Sequence, residues 1–313
     1  MNTRTKGLLA TMISAVFFGF IPLFVKTICA GGGNSVSAAF YRFFLSVPLL
    51  YIYLKAQGIS MRITRTEFAK IALITIFGYG GTAVLLFSSY NFIPSGMSTT
   101  IHFMYPVFTI LGCMIFFKEK VSPLKLLNPM GIFYAATGQY DSAVLWNGNL
   151  LPICPNMIGG ILLFYNGESG GSVLGMALSF LSGVTYAFYT IYLEKSGLQK
   201  MENLKLIFYM NTVAAAMILV MALLTAQFTL RLTPLAWGTA VFFATATSLI
   251  GVLGYQIGVK CIGPQNAAIL STFEPITSVI VGVLVYREAF SARTLLGCLC
   301  VLSAVVIVAK MKE

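Results

Sequence analysis

Three side chains in this sequence carry titratable chemistry in surroundings that have none: Glu274, Arg42 and His102. Glu274 stands about ten residues into the apolar run 265–286, near the middle of a stretch long enough to cross a bilayer. Insertion scales put the cost of a charged side chain there at roughly 2.5 to 3.5 kcal/mol. Such a carboxyl has to be neutral, paired or facing water, which makes it a candidate proton carrier or partner for a substrate amine. The other reading is structural: Pro275 cannot donate to its helix, and the carboxyl bonds backbone freed there. Arg42, Lys26 and His102 fall at similar depth in three other apolar runs, and together they describe a positively biased vestibule that suits a carboxylate. Snorkelling of the two long side chains and core hydrogen bonding of His102 account for each one singly.

Around these lie aromatic and amide residues at comparable depth: Tyr41, Tyr79, Tyr105, Tyr186, Tyr189, Asn211, Tyr255 and Gln256. Packing explains most aromatics in such a chain. Tyr105 and Tyr186 are the preferred pair, because a ring that ends in a hydroxyl suits an amphipathic solute. Pro22, Pro106 and Pro275 mark expected helix kinks.

The elements that must position these residues follow from composition. Of 313 residues, 58% are hydrophobic and 9% charged, against about one quarter charged in soluble domains. Apolar runs of about twenty residues occur at 7–29, 36–54, 68–89, 95–117, 172–193, 205–226, 235–257, 265–286 and 291–310. A tenth belongs between 124 and 166, where Asn128, Pro129, Gln139, Asp141 and Pro152 interrupt the pattern. The sequence therefore predicts an all-α polytopic membrane protein. With ten spans and both termini in the cytoplasm, 15 of the 20 basic residues fall on the cytoplasmic side and only Lys26, Arg231, Arg287 and Arg293 outside, as the positive-inside rule requires. Topology and anionic lipid account for the net charge of +11 without a nucleic-acid partner.

The chain also repeats itself. Gly7, Thr11, Ala15 and Gly19 return as Gly175, Ser179, Gly183 and Ala187, each 168 residues on, and Pro106, Lys118 and Glu119 return as Pro275, Arg287 and Glu288 at 169. Small residues at four-residue spacing make one smooth helical face for close packing, and Gly254 with Gly258 adds another. Five spans per copy invert the second copy, which places the expected substrate site where residues 1–166 meet residues 167–313. Symmetry breaks where charge appears: Arg42 is matched by Met210, and Glu274 by Tyr105.

Six scattered cysteines show no metal or disulfide framework. No nucleotide-binding loop or hydrolase motif occurs, so no cofactor is expected. An intramembrane enzyme on lipid-linked substrates would use Glu274 and His102 as acid and base but lacks a second convergent carboxylate. A non-transporting membrane receptor is the other alternative.

Three stretches resemble the EamA family of the drug/metabolite transporter superfamily: AAILSTFEPITSVIVGVLVYRE at 267–288, TTIHFMYPVFTILGCMIFFKE at 99–119, and FYRF at 40–43. The resemblance covers nearly the whole chain except 128–157. It implies ten spans in two inverted repeats and export of amino acids or related small metabolites across the cell membrane by alternating access, without ATP. The partners implied are a small amphipathic metabolite and the bilayer.

Overall fold

The computed structural model describes residues 2–93, 98, 101–118, 172–274, 277, 280, 281, 284 and 285. Six helices there are long and apolar enough to cross a membrane. They are α1 (Thr3–Ala30), α2 (Ser35–Ala56), α3 (Arg65–Ser89), α5 (Val173–Lys195), α6 (Asn203–Leu224) and α7 (Pro234–Leu270). The shorter α4 (Tyr105–Phe117) stands between α3 and α5. No strand occurs among the described residues. The interrupted segment 128–157, the expected last span and Pro275 lie outside them.

Helix starts follow local chemistry. Asn34 caps α2 by accepting the Ser37 amide at 2.8 Å. Thr64 and Glu67 form a reciprocal capping box at α3, Glu202 accepts the Lys205 amide at α6, and Thr233 caps α7 just ahead of Pro234. Each cap satisfies amides that the first turn leaves without partners.

The interior of the helices is irregular at defined places. The helical hydrogen bonding of α1 breaks at Phe20, and Pro22 stands in the first turn of the segment that follows, where a missing N–H costs nothing. Pro106 likewise opens α4 after a turn at Phe103–Met104. One π-helical turn occupies Thr75–Tyr79 in α3 and another Thr247–Val252 in α7. The 37 residues of α7 are too long for one crossing; the backbone leaves the helix at Gly263, with φ 76° and ψ 164°, a conformation open to glycine and strained for other residues. That break falls between two expected spans.

Polarity is reversed relative to a soluble protein. Thr11, Ser14, Ser179, Ser182 and Asn211 are fully buried, whereas Phe116, Leu224 and Leu235 are more than 70% exposed. Lipid tolerates such an apolar surface, and the helices satisfy their own backbone groups. Inside, small residues let backbones meet: Thr11 of α1 fills the space over Gly258 of α7, where a Cβ would lie 2.0 Å from the Thr11 hydroxyl. The related seam sets Gly175 of α5 against Phe92 and Ile93.

Gly258→Ala is therefore expected to lower the detergent melting temperature, with an overpacking cost of about 1 to 3 kcal/mol. Gly238→Ala, at a position where a Cβ would meet nothing within 4 Å, serves as the control and leaves it unchanged or raised. Equal melting temperatures for the two variants would remove the packing role.

Candidate functional site

A cavity lies among the helices, and residues from both halves of the sequence wall it. Phe18 and Ile21 come from α1, Arg42 from α2, Tyr79, Thr82, Ala83, Leu86 and Phe87 from α3, and His102 from the turn before α4. Tyr186 and Tyr189 of α5, Val252 and Tyr255 of α7, and Glu274 complete it. The slot so walled holds ≈ 500 Å³ of space free of protein atoms, its open mouth included.

The π-helical turns shape this wall. Tyr79 sits at the end of the first, and Gly78 beside it lies against Tyr189, where a Cβ would stand 3.0 Å from the Tyr189 Cβ. Gly251 of the second turn lies against the ring of Phe18, and its carbonyl accepts a hydrogen bond from Ser14 at 2.6 Å. A π turn shifts helical register by one residue, and here both shifts bring a glycine against a residue of the slot.

Arg42 is 6% exposed. Its guanidinium carbon lies 5.1 Å from the ring centre of Phe43, 5.7 Å from Tyr79, 5.9 Å from Phe87 and 5.7 Å from Phe243, within the range of cation–π attraction. No carboxylate stands within 4.0 Å of it among the described residues, and its Nε finds no hydrogen-bond partner there. Glu274, on the same cavity, is close enough for its charge and that of Arg42 to act on each other.

His102 has a defined orientation. Its Nδ1 lies 2.8 Å from the Ser182 hydroxyl, which donates its single proton to the Ser179 carbonyl at 2.6 Å. Nδ1 must then be the donor, leaving Nε2 with a lone pair. The ring packs against Tyr105 at 5.5 Å and Tyr186 at 5.6 Å.

Tyr105 and Tyr186 meet edge to face at 4.6 Å. Tyr186 continues the contact to Tyr189 and Tyr255 at 5.5 and 5.7 Å, and Tyr189 reaches Tyr79 at 5.5 Å. Tyr105 is buried behind Tyr186, and its hydroxyl has no partner among the described residues. Of the residues singled out from sequence, Glu274, Arg42, His102, Tyr79, Tyr186, Tyr189 and Tyr255 thus share one cavity, with Tyr105 packed on Tyr186.

The others sit elsewhere. Tyr41 packs on Trp237 at 4.9 Å and donates to the Thr229 carbonyl. Asn211 donates to Ser46 at 2.6 Å and Ser248 at 2.9 Å, joining α2, at Leu45, where its helical bonding is interrupted, to the second π turn. Gln256 is buried beside the Met210 sulfur, and Lys26 is exposed on α1. Phe18, Thr82 and Phe87 line the cavity without having been singled out; one threonine or two of 25 phenylalanines carry no sequence signal that separates them from packing residues.

The bundle of apolar, membrane-length helices is that of a polytopic membrane protein, and comparison with known proteins gives its class. The model of the EamA-like transporter family matches residues 5–138 and 173–310; the chain belongs to this family. It is 24% identical over 331 residues to an uncharacterized transporter of Synechocystis sp., covering 95% of this chain and 91% of that protein. Over 303 residues it is 22% identical to an uncharacterized transporter of Archaeoglobus fulgidus, covering 96% and 95%. A solved crystal structure superposes with a TM-score of 0.74 over 98% of both chains at 14% identity, a likeness of fold.

A double-mutant cycle between His102→Phe and Ser182→Ala checks the histidine's anchoring. Ser182→Ala strands Nδ1–H, and the two losses overlap. The expected coupling from thermal unfolding is about 0.6 to 2 kcal/mol, the range for hydrogen bonds within membrane bundles. Additive effects would mean that the bond contributes nothing.

Proposed function

We propose that this chain is a secondary transporter, not an enzyme, which exports small amphipathic metabolites such as amino acids from the cell by alternating access. In this reading ten spans form two inverted repeats, residues 1–166 and 167–313, with both termini in the cytoplasm. The observation that carries it is the slot walled by both halves, holding Arg42, His102 and Glu274 among aromatic rings.

The inverted arrangement draws support from pairs of contacts that exchange the halves. Tyr41 donates to the carbonyl of Thr229, and Tyr209 to that of Met61; the residues of the second bond are those of the first shifted by 168 in each direction. In the same way α1 packs chiefly on α7, and α5 on α3. The family's match in two stretches, 5–138 and 173–310, points the same way. Each tyrosine clasps one end of the bundle. Asn34 and Ser37 reinforce the first by donating to the Gln227 carbonyl at 2.8 and 3.0 Å, and Lys205 reinforces the second through the Arg62 carbonyl at 2.7 Å.

Glu274 supplies the charge at the centre. In proteoliposomes loaded with amino acids, efflux through the native protein is expected to be saturable and to vary with external and internal pH. Glu274→Gln is expected to flatten that pH dependence. Unchanged rate and pH profile in the variant would remove the proton or charge role, and a metabolite that binds without ever moving would make the protein a receptor.

The two clasps give a second expectation. In a background with the six native cysteines replaced, Ala83→Cys places a thiol on the slot. Adding Tyr41→Phe, which loses a hydrogen bond of about 0.5 to 1.5 kcal/mol, should speed its labelling by an impermeant reagent from the side bearing the Gly31–Asn34 turn. Tyr209→Phe should speed it from the opposite side. Identical changes from both sides for both variants would refute separate gates.

A further inference from the structure

The slot contains a buried cation whose needs the described residues meet only in part. Arg42 is 6% exposed, no carboxylate lies within 4.0 Å among the described residues, and Nε points at no acceptor. The four surrounding rings attract the guanidinium through their faces, and only Tyr79 among them carries a hydrogen-bond acceptor. A buried charge left in this condition is costly, and an anion that brings hydrogen-bond acceptors relieves it. Glu274 lines the same slot without closing onto Arg42.

We propose that Arg42 is the anion-binding residue of the slot and that the solute is an organic acid with a flat apolar body, held by its carboxylate, with Glu274 as the internal charge that competes for Arg42. This rests on the transporter reading above and names the solute that reading leaves open. One guanidinium among apolar rings matches a single carboxylate; a phosphate carries more charge and more acceptors than one arginine satisfies. The lining sets the body: Phe18, Phe87, Tyr186, Tyr189 and Tyr255 bring five rings to the slot, and a planar apolar group is the one that stacks on rings. Selection comes from polarity: an amine or alcohol of the same shape leaves Arg42 unanswered.

Titration of the purified full-length protein with phenylacetate, phenylethanol and phenethylamine, three ligands that share one body, tests this. Phenylacetate should bind and raise the melting temperature, and the alcohol and amine should not. Arg42→Gln should weaken the acid about 10- to 100-fold, Arg42→Lys less. Glu274→Gln, by removing the competing charge, should tighten it several-fold. Equal binding of the three ligands, no binding of the acid at millimolar concentration, or undiminished binding to Arg42→Gln overturns the proposal. Should Arg42→Gln not fold, Glu274→Gln decides: unchanged or weaker binding of the acid overturns it. Acid binding that depends on Arg42 but is never followed by flux sustains this inference and removes the transporter reading. Flux of amines without acid binding does the reverse.

Discussion

A guanidinium inside an apolar bundle is the constraint on which the rest of the structure turns. In a low-dielectric interior an isolated charge is far more expensive than in water, yet Arg42 lies nearly buried with no carboxylate in ion-pair range among the described residues. The surrounding rings of Phe43, Tyr79, Phe87 and Phe243 are the part of the answer that the fold itself supplies. They come from α2, α3 and α7. Holding them around one point fixes how those helices cross. The slot is the space on the open side of this cage, and its other charged wall, Glu274, reaches it from the segment beyond the Gly263 break.

Close packing makes that arrangement affordable. Lipid offers helices no hydrophobic gain for associating, so contact depends on backbones that approach tightly and on buried hydroxyls that find partners. The α1–α7 seam shows both. Gly258 accepts Thr11 in place of a side chain, and Thr11 satisfies itself on the Gly7 carbonyl at 2.8 Å. In the matching seam Ser179 donates to the Gly175 carbonyl at 3.0 Å and also meets Ser98 at 2.8 Å. Hydroxyls that bond back to the preceding turn cost the helix little and leave no stranded proton in the core. At the π turns the same economy fails by one residue, and the displaced register is where Tyr79 and Gly251 meet the slot.

Much of this could be read from the sequence because lipid imposes a simple code. Apolar runs gave α1, α2, α3, α5 and α6 to within a few residues, whereas α4 begins only at Tyr105 and α7 continues through 258–264 between two expected spans; four-residue spacing of Gly7, Thr11, Ala15 and Gly19 marked a face that packs on α7 and, at Gly19, on Glu274 and Thr277 beyond it. Charge in an apolar run marked Arg42, His102 and Glu274, which the fold brings to one cavity. Depth alone could not separate neighbours. Tyr41 and Arg42 are adjacent and on paper equally deep, but a helix turns about 100° per residue. One side chain therefore faces Trp237 and the Thr229 carbonyl, the other the ring cage. Asn211 looked like a pathway residue and instead ties Ser46 to Ser248, a role set by helix breaks that no periodicity announces. The π turns left no trace either, since Gly78 and Gly251 resemble any glycine in an apolar run.

The polar interior divides into bonds that fix and bonds that yield. Asn211 holds two helix irregularities together from a site with no exposure, where water cannot replace a lost partner, so breaking it carries the full cost of a stranded amide. The end clasps are different. Tyr41 and Tyr209 bond to the carbonyls of Thr229 and Met61 in the connecting segments, and each bond is worth about 0.5 to 1.5 kcal/mol net. On the alternating-access reading this difference in strength is what the mechanism needs: ends that part for about the cost of thermal fluctuation, around a centre that keeps its geometry while the slot is presented to either side. A solute carboxylate on Arg42 would then act on the weaker set. Neutralising the guanidinium removes one of the two charges that the closed slot has to shelter, so loading and closure favour each other without any added source of energy.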